Sequence, residues 1–143
     1  LLKHKIDNLF VDYLQLVKSS VKKNSYTYEI KEVTRMLKQS ARQFNIPIVA
    51  LSQVNREGKN KKEPDLENLS DSDAIGQDAN TVLILNEIDN AEDVQRIDLL
   101  IKKQRNGRKG KIELNYLKNY TKFVEVGTNV FNDVSSSKED EPF

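Results

Sequence analysis

Apolar residues fall into short runs separated by polar stretches, and the period of each run predicts an element. Within Ile6–Leu16 the run Leu9-Phe10-Val11 is continuously apolar and ends in Asp12, the pattern of a buried, parallel-type strand. Lys18–Asn24 is polar and basic, and reads as a loop. From Glu29 to Phe44 the apolar residues are Ile30, Val33, Leu37, Ala41 and Phe44. Their spacing by threes and fours places them on one helix face, leaving Arg35, Lys38 and Arg42 on the other. Ser25 or Thr27 stands where a start cap is needed, and Asn45 followed by Pro47 supplies the stop. Ile46–Ser52 is a second apolar run, with Pro47 at a position that a strand's first residue tolerates. Strand, helix, strand predicts a right-handed βαβ unit in an α/β sheet.

Beyond this unit, Gln53–Leu69 is polar and contains Gly58 and Pro64. So long a loop is expected to be functional or disordered. Asp71–Asp78 suits a short helix, Thr81–Leu85 a third buried strand, Glu87–Glu92 an acidic turn and Arg96–Ile101 a fourth strand. Lys102–Lys111 reads as a basic turn with Gly107 and Gly110, and Ile112, Leu114 and Tyr116 alternate with more polar neighbours ahead of Phe123–Val126. Those last segments predict a β-hairpin and edge strands. Residues 128–143 are rich in Ser, Asp, Glu and Asn, the composition of a disordered, acidic tail.

Composition narrows the chemistry. A chain of 143 residues suits one domain, and 37% hydrophobic with 31% charged residues implies substantial exposed loop or tail. The net charge of +1 makes any electrostatic argument a local one. With no cysteine and the single His4, a disulfide framework, a thiolate metal site, a cysteine nucleophile and a paired-histidine zinc site are excluded. No apolar run approaches the roughly 18–20 residues of a membrane span. Residues 1–17 lack the order of a signal peptide. The lack of cysteine is compatible with a cytoplasmic protein, and a chain that starts at Leu1 and enters a strand pattern at once reads as a fragment of a longer polypeptide.

Four features carry candidate chemistry. A carboxylate at a strand's carboxyl end, here Asp12, sits where open α/β sheets bind ligands and where P-loop nucleotide hydrolases support Mg2+. Ser52-Gln53 closes the next strand, and a neutral amide there can sense a γ-phosphate or orient water. Lys102–Lys111 holds six basic residues and no acid. In it Lys103 and Arg105 alternate, so both point to one side, as a pair of cations reaching a neighbour's phosphate would. The loop Asn55–Lys62, with Arg56, Lys59, Lys61 and Lys62, suits contact with a phosphate backbone. A G-x-x-x-x-G-K-[ST] loop does not occur in the sequence.

Several of these segments resemble replicative DNA helicases of the DnaB family. Leu9-Phe-Val-Asp12-Tyr-Leu-Gln-Leu16 resembles the family's Walker B segment, and Pro47-Ile-Val-Ala-Leu-Ser-Gln53-Val-Asn-Arg56 its next strand and sensor Gln. Ala74-Ile-Gly-Gln-Asp-Ala-Asn80 resembles the family's Ser-Ile-Glu-Gln-Asp-Ala-Asp, and Lys103-Gln-Arg105-Asn-Gly107 matches Lys-Gln-Arg-Asn-Gly. The resemblance runs from Ile6 to Val126. It implies the C-terminal portion of a RecA-like P-loop NTPase core over residues 1–127, α/β with a mainly parallel sheet and a terminal β-hairpin, without the Walker A part. The parent would be an ATP-dependent helicase, using ATP and Mg2+, that moves 5′→3′ on single-stranded DNA as a homohexamer at the replication fork. Primase and a helicase loader are the implied partners, and no membrane is involved. Asp12 would support Mg2+ through water, Gln53 would contact the γ-phosphate, and Lys103 and Arg105 would complete the adjacent subunit's ATP site. Arg56 with Ser70, Asp71 and Asp73 would lie along the DNA channel. The alternative is a non-catalytic RecA-like module serving as a docking or assembly platform. Two stretches depart from the family pattern: Ser70-Asp-Ser-Asp-Ala74 replaces Arg-Glu-Ser-Gly-Ser, and Arg108-Lys109 replaces Pro and an apolar residue.

Overall fold

A computed structural model describes residues 5–18, 26–55, 58, 61–69 and 72–127, without the side chains of Tyr26, Ser72 and Asp73. Its contacts divide the chain into two units: residues 1–82 with 102–107, and residues 83–101 with 108–143. The expected tail, 128–143, lies outside the described residues.

The first unit opens with the predicted βαβ pattern. Strand β1 (Leu9–Val11) pairs in parallel with β2 (Ile48–Ala50), Phe10 facing Val49 and Val11 facing Ala50, and helix α1 (Tyr26–Phe44) joins them. The helix begins earlier than its apolar pattern, so Thr27 lies inside it and cannot cap it; Ser25 lies outside the described residues. Asn45 ends the helix with φ of 52°, the left-handed conformation expected of a helix stop. Ile30 and Val33 are buried, together with Leu14, Leu69, Ala74 and Ile75 of this unit. Helix α2 (Ser72–Asp78) packs on α1 and supplies Ala74 and Ile75.

Two expectations fail here. Phe44, at the end of the apolar stripe, is exposed. Phe10, expected in a buried strand, is 72% exposed, and Val49 and Leu51 on the same face are exposed with it. An apolar run reports a demand for cover. Nothing among the described residues covers this face of the β1–β2 pair.

The described part of the long loop after β2 is held together by Asn55, Gly58, Asp65 and Asn68. Val54 and Leu69 form an antiparallel bridge, and Asn55 N–H donates to the Asn68 carbonyl at 2.8 Å. Gly58 N–H donates to Asn55 Oδ1 at 2.8 Å, and Asp65 N–H to Asn68 Oδ1 at 2.9 Å. Asp65 and Asn68 thereby make a reciprocal cap for the turn Leu66–Asn68. Gly58 is buried at the centre, where a Cβ would stand 2.4 Å from Val54 Cγ1 and 2.5 Å from Asn68 Cβ.

The later strands, β3 (Thr81–Glu87), β4 (Val94–Gln104), β5 (Gly110–Leu117) and β6 (Lys122–Glu125), form one sheet in the order β3-β4-β5-β6. The division between the units falls within β3 and β4. Within the second unit β4 and β5 pair antiparallel, Ile97 facing Leu114, and β5 and β6 antiparallel, Tyr116 facing Phe123 with ring centroids 4.8 Å apart. The mainly parallel sheet of the sequence reading is therefore confined, among the described residues, to β1 and β2. The apolar run Thr81–Leu85 is half-exposed: Val82 and Ile84 are buried, whereas Leu83 and Leu85 face out. Strand β4 also runs past the predicted Ile101 to Gln104, which turns Lys102 and Lys103 from loop into strand.

Candidate functional site

The first group of candidate residues follows from the β1–β2 pair. Parallel pairing brings both carboxyl ends to the same edge, so Asp12 and Gln53, just beyond the two strands, share that edge. Three contacts fix the edge. Leu51 N–H donates to the Val11 carbonyl and Leu14 N–H to the Leu51 carbonyl, each at 2.9 Å, and Gln15 Nε2 donates to Ser52 Oγ at 3.0 Å. The Asp12–Tyr13 peptide is cis. Asp12 and Gln53 are both exposed, whereas Leu14 is buried and anchors the turn that follows. Gln15 Oε1 is buried without a partner among the described residues.

A second group gathers around α2. Lys103 Nζ donates to the carbonyls of Gly76 at 2.6 Å and Gln77 at 3.3 Å. These carbonyls belong to the last turn of α2, where unpaired acceptors favour a cation. Arg105 lies in the turn after β4, and its N–H donates to the Asn80 carbonyl at 3.0 Å. Its side chain is exposed. The pair expected to project together thus differs: Lys103 is bound to its own chain and Arg105 faces solvent. Gln104 between them bonds Thr81 Oγ1.

Lys38, expected on the face of α1 opposite the apolar stripe, joins this group. Its Nζ donates to Asn80 Oδ1, while Thr34 Oγ1 one turn earlier donates to Asp78 Oδ2 at 2.8 Å. The Lys38 pKa is held below the ordinary lysine value, first by partial desolvation, then by the charges of Arg105 and Arg42, with Asp78 opposing and Lys103 adding to the fall. The recurrence of polar residues at Thr34, Lys38 and Arg42, one turn apart, was the available signal for this contact.

The basic run does not act as one cluster. Lys102 pairs with Glu63 at 2.7 Å, and Lys111 pairs with Asp98 at 3.3 Å and Glu113 at 2.9 Å. Among the loop cations, Lys61 pairs with Glu67 at 2.6 Å. Arg56, Lys59, Ser70 and Asp71, and the side chain of Asp73, lie outside the described residues.

Residues 1–125 match the family described as the DnaB-like helicase C-terminal domain. The chain belongs to that family. It is 42% identical over 125 residues to a probable replicative DNA helicase of Trieres chinensis, across 80% of this chain and 28% of the relative. It is 37% identical over 125 residues to the replicative DNA helicase DnaB of Geobacillus stearothermophilus, across 82% of this chain and 28% of the relative. Among solved structures, one described as an ATPase domain superposes with a TM-score of 0.74 at 28% identity, over 83% of this chain and 44% of that one. A DnaB-like replicative helicase, described with its interactions with primase, gives a TM-score of 0.74 at 29% identity, over 83% and 30%. The DnaB-like chain thus spans less than a third of these curated relatives, and its fold is that of part of a RecA-like ATPase domain of the family.

Proposed function

We propose that this chain forms part of the motor of an ATP-dependent replicative DNA helicase, which moves 5′→3′ on single-stranded DNA as a hexameric ring in the cytoplasm. The observation that carries the reading is the shared edge of Asp12 and Gln53 in a chain of this family. An exposed carboxylate at a strand end is a hard oxygen donor, suited to Mg2+ that keeps most of its water. Asp12 would hold that ion indirectly, and Gln53 would touch the terminal phosphate of ATP. When bound, Mg2+ neutralises charge on the phosphates.

Lys103 and Arg105 would serve the ATP site of an adjacent identical subunit. The free Arg105 side chain supports that role for Arg105, whereas Lys103 would first have to release the α2 carbonyls or act by holding that helix end. Arg56, Ser70, Asp71 and Asp73 would follow the backbone of single-stranded DNA, largely without regard to sequence. A primase and a loader are the partners proposed, the former because a similar helicase is described with one.

The test uses the full-length protein. Arg105→Ala is expected to abolish ATP turnover while sparing nucleotide binding, and Asp12→Asn to weaken Mg2+-dependent turnover. Wild-type turnover in Arg105→Ala would remove the trans-acting role. If Arg56 contacts phosphate, Arg56→Ala will lower the salt slope of DNA binding by about one. The 143-residue chain alone is expected to show no ATP hydrolysis, because it contains no phosphate-binding loop.

A further inference from the structure

Helix α1 reaches the Arg105 turn through its polar stripe. Thr34, Lys38 and Arg42 follow one another at i, i+4 spacing and so share a side of the helix. Thr34 holds Asp78, Lys38 holds the Asn80 side chain, and the Asn80 carbonyl holds the Arg105 N–H. Lys103 closes on Gly76 and Gln77 in the same stretch. Residues 76–80 are thus tied to α1 by side chains and to the end of β4 by Lys103 and Arg105. Asn80 touches both Lys38 and Arg105.

We propose that Lys38 is a positioning residue for Arg105: through Asn80 it fixes the turn from which Arg105 reaches the phosphates of a nucleotide held by a second copy. The role rests on the trans-acting reading of Arg105 given above. A solvent-exposed hydrogen bond from a lysine to an amide contributes little to stability. Lys38 moreover stands where desolvation and the charges of Arg105 and Arg42 disfavour an ammonium. What the lysine supplies is a directed bond onto Asn80, next to a cation whose placement matters. A displacement of about 1 Å far from the reacting atoms can cost roughly a hundredfold in rate.

The experiment measures DNA-stimulated ATP turnover and thermal stability of the full-length protein carrying Lys38→Met, Lys38→Arg, Asn80→Ala or Arg105→Ala. Lys38→Met and Asn80→Ala are each expected to lower kcat by about ten- to a hundredfold, with KM for ATP changed by less than about twofold. The double variant should fall no further than either single one, because both act through one bond. Lys38→Arg should restore most of kcat, and the melting temperature of Lys38→Met should stay level or rise as a repelled charge is removed. Wild-type kcat in Lys38→Met overturns the proposal. So does a loss of kcat that tracks a fall in melting temperature, the mark of a merely structural residue. The arms separate the two readings: active Arg105→Ala removes the trans-acting role itself, whereas inactive Arg105→Ala with active Lys38→Met removes the positioning role alone.

Discussion

At the scale of single residues, Gly58 and Asn68 illustrate constraints of different visibility. A glycine in a polar loop is an ordinary turn signal, but its need here comes from close approach: Val54 and Asn68 occupy the space of a Cβ. Gly58→Ala is therefore expected to destabilise the first unit by about 1–3 kcal/mol, the usual cost of overpacking. A lower urea midpoint at unchanged slope would show it. Asp12 and Gln53 were legible because the ends of apolar runs can be read directly from the chain. The partners of Thr34 and Lys38 were not, because Asp78 and Asn80 lie 44 and 42 residues away. Nothing in a helix's own periodicity tells which part of its polar side meets another element.

At the scale of elements, the last turn of α2 depends on a cation from β4. Lys103→Met removes the donor to the Gly76 and Gln77 carbonyls and is expected to cost about 0.5–1 kcal/mol, read as earlier thermal unfolding. Strand β5 carries a pH-dependent contribution of its own. Hydrogen bonds to Glu113 and then Asp98 raise the Lys111 pKa above its ordinary 10.5, so this stabilisation is present below 10.5 and is lost as pH climbs through the raised value. The bond from Lys111 lowers the Glu113 pKa below its ordinary 4.5, so that share is present above 4.5 and is lost as pH falls through the lowered value. Lys111→Gln should flatten both limbs of a stability–pH curve, and added salt should shrink the wild-type effect. The order of helix and strands was visible in the hydrophobic pattern, and so was the helix stop at Asn45. Strand pairing was less so. The alternation of buried Val82 and Ile84 with exposed Leu83 and Leu85 is hidden because both faces of β3 are apolar, and only the folded chain shows which face is covered.

At the scale of the whole molecule, Phe10, Val49 and Leu51 leave one face of a parallel strand pair bare among the described residues, although parallel strands are ordinarily covered on both faces. Contiguous exposed apolar surface of this kind marks a place for another surface to pack. The 143-residue chain is expected to bind an apolar dye and to self-associate, and Phe10→Ser to reduce both while leaving the far-ultraviolet circular dichroism unchanged. Dye binding equal to that of the parent protein would count against this. The same face also specifies what can pack on it. A surface that covers Phe10, Val49 and Leu51 must itself be apolar there, so a charge introduced at one of the three would be tolerated only while the face stays open to water.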